Sequence, residues 1–599
     1  MLPVFKNNST KKTLYLLREY EISTKITSLI FRKSVLFSLG RNLCAGFDEL
    51  IRIIPVAISV MPIVTAQDLI EAGWPPGPQF PALLAALRGY EERGISDPAY
   101  LMKLLERNFE RPDPKLTPRE ASLPFSEAIE ATCDRDEKNL ESVRRAMDQL
   151  LRTPVIEGGA VMPDACPAGA GEAVIPVGGA ITVRNAILPA AHSADICCSM
   201  YATVFRCDQN TGEMLDSLMA STRFGFGGRK TEDRHHHPVL EESVWSNPFL
   251  KGLEEHAAMH LADQGDGNHF AYLGKLRLNR GLIDALDQAG HDDIARKLND
   301  AAGGSKSLDD TDGATFYTLV THHGSRGLGA QVYQRGHKAA LKETDRIARG
   351  IPKAAAWLDT ESEIGRDYWD ALQYVSRWTR ANHQSIHARF LERSGARRVT
   401  EFGNEHNFVW NRGDHFLHGK GATPAWKDDA GRPLLGLIPL NMAEPILVTL
   451  GRDNAEFLSF APHGAGRNQS RTATLREFRK ANKETDDKAI ARAIAKSTRG
   501  LDIRWYYGRG DLTESPIGYK SAAQVRGQIE QFELADIVAE VTPLGCIMAG
   551  DSGPAPWMKK REQELTPKQK RQIVHRSDRR KLRQHLSHWE GSDDEENDQ

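Results

Sequence analysis

Cysteine is scarce. The 599 residues hold seven, an odd number thinly spread, which excludes the disulfide framework of a small secreted scaffold. A surplus of charge is also missing. Lys plus Arg is 78 against 80 for Asp plus Glu, a formal net charge of −2. The chain therefore does not hold nucleic acid by bulk charge, although a local basic channel stays open. No apolar run spans a bilayer. The stretch 53–64 carries Pro55 and Pro62 and falls short of the ~20 residues a crossing helix needs. No internal repeat stands out. What is present is ordinary globular composition, 40% hydrophobic and 26% charged, which argues against a mostly disordered chain and supports a large core. The adjacent pair Cys197 and Cys198 points to metal or thiol chemistry in a reducing, cytoplasmic compartment.

The two ends read as appendages. Residues 1–60 are basic and poor in acids, with Lys6, Lys11, Lys12, Arg18, Lys25, Arg32, Lys33 and Arg41, and are expected as a poorly ordered extension. Met61 opens a conventional segment, and residues 61–150 read as a helical N-terminal region. Thr65 is placed to cap a short helix. Helices are expected over 81–93, 97–108 and 124–151, the last as a solvated helix of alternating charge. After Gly553 a basic helix leads to Arg579-Arg580-Lys581, and an acidic, disordered tail follows over 593–599.

Between them, residues 151–552 carry the chemistry. Val174–Val177 and Ala180–Val183 read as strands joined by a Gly178-Gly179 turn, and 366–393 reads as a helix. Strands interrupted by helices predict an α+β fold, a mixed core of packed sheets with surrounding helices. Five polar clusters flanked by small residues sit on expected loops: Ser193 to Met200, Gly265 to Phe270, His322 to Gly327, Gly403 to Asn407, and His463 to Arg467. One turn aims Asp195 and Cys198 at a single ion. Carboxylate, thiolate and imidazoles together suit a transition metal such as manganese or zinc. Arg326, Arg467 and Arg471 suit phosphate oxygens. These residues alone predict a metal-dependent enzyme acting on phosphates. Two histidine groups weigh less. His235-His236-His237 lies in a polar stretch, and His256 with His260 reads as a solvated helical face.

The segments DICCSM, GNHF, HHGSRGLG, EHN, HGKGAT and HGAGR, in that order, resemble the signature of the RtcB family of RNA-splicing ligases. The resemblance covers roughly residues 155–550. It implies joining of an RNA 3′-phosphate or 2′,3′-cyclic phosphate to a 5′-hydroxyl, with GTP and two manganese ions. It implies His463 as the nucleophile that becomes a histidine–GMP adduct. Asp195, Cys198, His269, His322 and His406 fall on the metal ligands. Asn268, Asn407, Gly464, Ala465, Gly466, Arg467 and Tyr519 fall in the nucleotide site. RNA ends are the implied partner, with an archease-like activator and no membrane.

The chain also departs from the pattern. The usual PDVH reads Pro163-Asp164-Ala165-Cys166, and HRKGAT reads His418-Gly419-Lys420-Gly421-Ala422-Thr423. PGSMG reads Pro439-Leu440-Asn441-Met442-Ala443. The two groups that read guanine in the family become Tyr272 and Ala549. These departures mark a divergent branch. They leave two alternatives: a phosphoesterase or nucleotidyltransferase acting on RNA ends, and an inactive RNA-binding homologue.

Overall fold

The computed structural model describes residues 62–551, apart from 73, 75–78, 110–114, 170, 226, 305–313 and 483–486. The basic extension over 1–60 and the tail over 553–599 lie outside the described residues. The described residues fall into two compact units, divided at 113/114. In the first, Thr65 caps the helix Ala66–Glu71 with a full capping box: its hydroxyl accepts from the Asp68 amide at 3.2 Å while Asp68 accepts from the Thr65 amide at 2.7 Å. The helices Phe80–Glu91 and Pro98–Asn108 follow as expected. Leu69, Trp74, Leu83, Leu87, Leu101 and Leu105 close a small core of their own.

The second unit confirms the α+β class. Its central sheet orders the strands Arg397–Glu405, Ser199–Arg206, Ala314–His323, Phe270–Leu278, Ala535–Met548, Ile446–Gly451 and Leu435–Ile438, all antiparallel; Asp502–Trp505 pairs parallel beside Ala535–Met548. A five-stranded sheet runs Ser126–Glu127, Ile156–Cys166, Val177–Arg184, His415–Lys420 and Phe408–Arg412. The helix Glu363–Ser394 packs against both the strands Ser199–Arg206 and Ala314–His323. The Ser362 hydroxyl accepts from the Gly365 amide at its start, and Gly395 ends it in the left-handed conformation at φ 66°. One face of it buries Tyr368, Leu372, Val375 and Trp378 in the largest apolar cluster.

Three local expectations are corrected. The helix expected over 124–151 begins only at Asp134. Ser126 and Glu127 instead pair with Ala160 and Val161, so strand pairing claims the segment that charge alternation assigned to the helix. Nor is the helix merely solvated. Leu140, Val143, Met147 and Leu150 share one buried face, and its packing against Ile156–Cys166 places it in the second unit. The expected hairpin is one strand, Val177–Arg184, paired with the earlier Ile156–Cys166. Gly178 has φ 72°, and a Cβ there would lie 2.7 Å from the Asp164 side chain. Its glycine serves a close approach of backbones within a strand, not a turn.

Candidate metal centre and nucleotide cavity

The clusters lie at strand ends, not on free loops. Cys198 immediately precedes Ser199–Arg206, His322 is the penultimate residue of Ala314–His323, His269 precedes Phe270–Leu278, and His406 follows Arg397–Glu405. These four strands are neighbours. The register pairs Ser199 with both Glu405 and His323, and His322 with Phe270. Antiparallel alternation therefore delivers four residues far apart in sequence to one edge of one sheet.

The side chains converge there. Cys198 Sγ lies 3.1 Å from His322 Nε2 and 3.5 Å from His269 Nε2. His322 Nε2 lies 3.1 Å from His406 Nε2, and His269 Nε2 lies 3.0 Å from Asp195 Oδ2. Cys198, His322 and His406 form one group able to hold an ion, and Asp195, Cys198 and His269 form a second that shares the thiol. The donor chemistry supports occupancy. His322 Nδ1–H donates to the Asn268 carbonyl at 3.2 Å, so a neutral ring presents its Nε2 lone pair to His406 and Cys198. Burial pushes His322 down to about 3 and His406 well below the ordinary histidine value. Neutral imidazoles with lone pairs turned inward are the form that binds a cation. Burial raises the Asp195 carboxyl, but His269, Cys198 and His322 together outweigh it and hold Asp195 below the usual carboxylate range.

The nucleophile candidate is oriented from behind. His463 follows the strand Phe460–Pro462, and its amide bonds to the Gly421 carbonyl at 3.3 Å. Its Nδ1 lies 2.6 Å from Oδ2 of the fully buried Asp164. A carboxylate only accepts, so Nδ1 carries the proton and Nε2 keeps a lone pair. Gly466 makes room for this contact: at φ 70°, a Cβ there would strike the Asp164 carbonyl at 2.1 Å. The His463 ring centroid is 4.8 Å from that of His406, which joins the nucleophile candidate and the candidate ion group in one site.

A single cavity of about 290 Å³ runs from the metal group past His463, lined by Asp195, Cys198, Asn268, His322, His406, Asn407, His463 to Arg467, and Tyr519. Arg467 lies over the Tyr519 ring at 4.5 Å and donates to Glu514 at 2.9 Å and the Tyr519 hydroxyl at 3.2 Å. Glu514 is buried and also receives Tyr519 and Arg471. Asn407, at φ 54°, accepts from the Gly421 amide at 2.7 Å. Phe270, Leu440, Met442, Ile446 and Met548 add apolar lining, with Asn441 among them. The Tyr272 hydroxyl donates to the Val541 carbonyl at 2.8 Å. Ala549 is buried in a separate cluster with Leu218 and Phe390.

Some expectations change. His260 is not on a solvated face: it is buried and lies 3.3 Å from the Asp263 carboxylate. His236 pairs with Glu241, His237 caps the Val239 amide, and His235 meets Arg389, so the triple histidine takes part in no metal group among the described residues. Arg326 donates to the Gly225 carbonyl at 3.0 Å. Three residues to which the sequence gave no role also matter. Asp164 orients His463, Glu514 gathers the two arginines, and Lys520 donates to the Pro163 and Ala165 carbonyls at 3.1 and 2.8 Å, fixing the backbone on both sides of Asp164. The Pro-Asp segment was the available signal for the first.

Behind the metal edge, His383 of the long helix bridges the Ser199 hydroxyl at 3.0 Å and the Thr321 hydroxyl at 2.6 Å, next to Cys198 and His322 in the chain. Thr321 continues to His387 at 2.8 Å, and His387 to Thr203 at 2.7 Å. Replacing His383 by Ala leaves the buried Ser199 hydroxyl without its partner and Thr321 with His387 alone, and it opens a cavity in the packed interior. Chemical denaturation is expected to show a loss on the order of 2–5 kcal/mol. A loss below about 1 kcal/mol would mean the bridge contributes little.

A family model described as tRNA-splicing ligase RtcB matches residues 249–549. The RNA-splicing ligase RtcB of Escherichia coli is 23% identical over 442 residues, covering 67% of this chain and 93% of that protein. The Mycobacterium tuberculosis RNA-splicing ligase RtcB is 28% identical over 311 residues, covering 48% and 64%. For the tRNA-splicing ligase RtcB of Pyrococcus furiosus the identity is 25% over 372 residues, covering 55% of this chain but only 34% of that longer protein. The segment ending at Ala549 holds the site's three histidine ligand candidates and its nucleophile candidate, His463, and on that match the chain belongs to the RtcB family.

Proposed function

We propose that this protein is an RNA ligase that joins 3′-phosphate or 2′,3′-cyclic phosphate ends to 5′-hydroxyl ends through a nucleotide carried on His463. The observation that carries the reading is the His463–Asp164 contact at 2.6 Å, set in the same cavity as the two potential ion groups. Nε2 of His463 attacks the α-phosphate of GTP, an N–P bond forms, and pyrophosphate leaves. The RNA 3′-phosphate then takes GMP from His463, and the 5′-hydroxyl displaces GMP to form the phosphodiester. Asp164 holds the Nδ1 proton and stabilises charge on the ring. Asn268 and Asn407 line the phosphate path, with the Gly464–Gly466 backbone giving close approach. Arg467 keeps donors beyond its Glu514, Tyr519 and Thr513 bonds for phosphoryl oxygens. Asp195, Cys198, His269, His322 and His406 would hold two divalent ions, manganese in this reading. Such ions supply charge neutralisation and in-line alignment of phosphates.

Supporting context is simple. The described cysteines, 133, 166, 197, 198, 207 and 546, are free, which suits a reducing, cytoplasmic setting. No helix among the described residues is long and apolar enough to cross a membrane. An archease-like activator belongs to the reading as the partner the family implies.

The test is incubation with manganese and each α-labelled nucleoside triphosphate, followed by a denaturing gel. Label retained on the wild type and lost in His463→Ala supports the ligase. No label with any nucleotide would favour a phosphoesterase, and a chain that binds no ion would favour an inactive RNA-binding homologue. The same assay reads base choice. The Tyr272 proton is committed to Val541, Ala549 lies outside the cavity lining, and Tyr519 is tied to Glu514. The walls left to the base are mostly apolar, Phe270, Leu440, Met442, Ile446 and Met548 with Asn441 among them, and give little reading of its edge. GTP is expected to be preferred over ATP by less than about tenfold, or roughly 1.4 kcal/mol. Strict GTP selectivity under excess ATP would refute the relaxed pocket.

A further inference from the structure

A second groove, outside the metal cavity, is lined by Arg223, Arg229, Lys230, Arg234, His235 and Arg389, with Glu232 and Asp233 as its acids. Five cations line the groove against four carboxylates, these two acids and the Asp263 and Glu255 that pair with three of the arginines. Inside it, Arg223 and Arg229 share one buried counterion, Asp263, at 2.9 and 3.1 Å. Arg234 reaches outward to Glu255 at 2.7 Å. Arg389 donates to the Ser221 carbonyl at 3.1 Å and lies 3.3 Å from His235 Nδ1. Burial, together with Arg229 and Arg389, holds His235 down to about 4, so its ring is neutral near pH 7. An arginine only donates, so Nδ1 of this neutral ring accepts and Nε2 carries the proton. That Nε2 is buried with no hydrogen-bond partner, as is Arg234 Nε. Crowded cations with buried donors lacking acceptors are what an oxyanion completes.

The groove is tied to the metal centre by a short run of chain. Arg223 pairs with Asp263 and Phe224 with Gly265, and Gly265 leads through Asn268 to His269. Six residue steps limit the separation of Asp263 and His269 to roughly 20 Å. Arg326 spans part of that gap. It bonds the Gly225 carbonyl, and its guanidinium and the His269 ring both crowd the open side of Gly265.

We propose that this groove binds backbone phosphates of the RNA strand whose end enters the His463 cavity. The proposal rests on the RNA-end-joining reading, but it concerns grip rather than chemistry. Phosphate contacts position a strand without reading its sequence. Each one releases counterions, so each leaves a mark on the salt dependence of binding.

The experiment uses the full chain and a fluorescent single-stranded RNA ending in a 3′-phosphate, without nucleotide or divalent ion. Anisotropy gives Kd across a range of salt. Lys230→Glu combined with Arg389→Gln is expected to weaken binding at least about tenfold and to flatten the slope of log Kd against log salt by about one for each phosphate no longer held. The exposed Lys230→Glu alone, which disturbs no packing, is expected to flatten the slope by about one. Labelling of His463 by nucleotide should stay within twofold of wild type in both. Unchanged Kd and slope would overturn the groove, as would a wild type that binds no RNA. If His463 takes no nucleotide in any variant but RNA binding still falls, the groove stands and the end-joining reading fails.

Discussion

Replacing Asp164 by Asn is expected to lower the rate at which His463 takes a nucleotide by about 10³- to 10⁴-fold, the scale seen when a histidine's orienting carboxylate becomes an amide. Asp164 is fully buried, and its Oδ2 lies 2.6 Å from His463 Nδ1. A carboxylate fixes the ring proton on Nδ1. An amide can instead turn its NH₂ toward Nδ1, which moves the ring proton to Nε2 and removes the lone pair that attacks phosphorus. The local frame should survive. Lys520 grips the carbonyls of Pro163 and Ala165, not the carboxylate itself, and Gly466 still admits the backbone. The measurement is the initial rate of labelling from an α-labelled nucleotide, with melting temperature as the check on folding. A rate within tenfold of wild type would mean that Asp164 does not set the tautomer, and the nucleophile assignment would lose its physical basis.

Much of the site's composition was legible in the sequence, because each cluster advertised itself: polar donors between small residues at Asp195, His269, His322, His406 and His463. Their convergence was not legible from spacing. It depends on the register that sets Ser199 opposite both Glu405 and His323, and register is a property of paired strands rather than of any one segment. The same limit explains the errors. Gly178-Gly179 has the composition of a turn, but the strand it belongs to pairs with Ile156–Cys166 before it, and the glycine yields space to Asp164. The alternating charge that marks the helix begins only at Asp134, and the segment before it, with Glu127 and Glu130 but no base, belongs to the sheet once Ser126 and Glu127 pair with Ala160 and Val161. His260 looked solvated because its partner, Asp263, lies beyond the helix end. Asp164 and Glu514 were missed as working residues because a lone buried carboxylate acquires a role only from the groups folded against it.

Removing the Cys198 thiol should empty both ion positions at once, whereas removing a ligand that belongs to one group should empty only one. Cys198 is the residue shared by the group with His322 and His406 and the group with Asp195 and His269. Its Sγ is 3.1 Å from His322 Nε2 and 3.5 Å from His269 Nε2. Without a cation, burial and the adjoining Asp195 push this thiol well above its ordinary value, so the bare site favours the protonated form. A divalent ion reverses that balance and binds the thiolate. A thiolate between two ions neutralises part of both charges, and no neutral side chain can do the same. Metal content after saturation with manganese and desalting is therefore expected to fall from two ions per chain to none in Cys198→Ala, and to one in His406→Ala and in Asp195→Ala. Nucleotide labelling should drop at least about 100-fold in Cys198→Ala, beyond the 10- to 100-fold cost of losing an outer-shell partner. Each variant is checked for an unchanged fold by circular dichroism. If Cys198→Ala retained two ions, the shared-ligand arrangement would be wrong, and the thiol would be no more than a buried neighbour of two histidine sites.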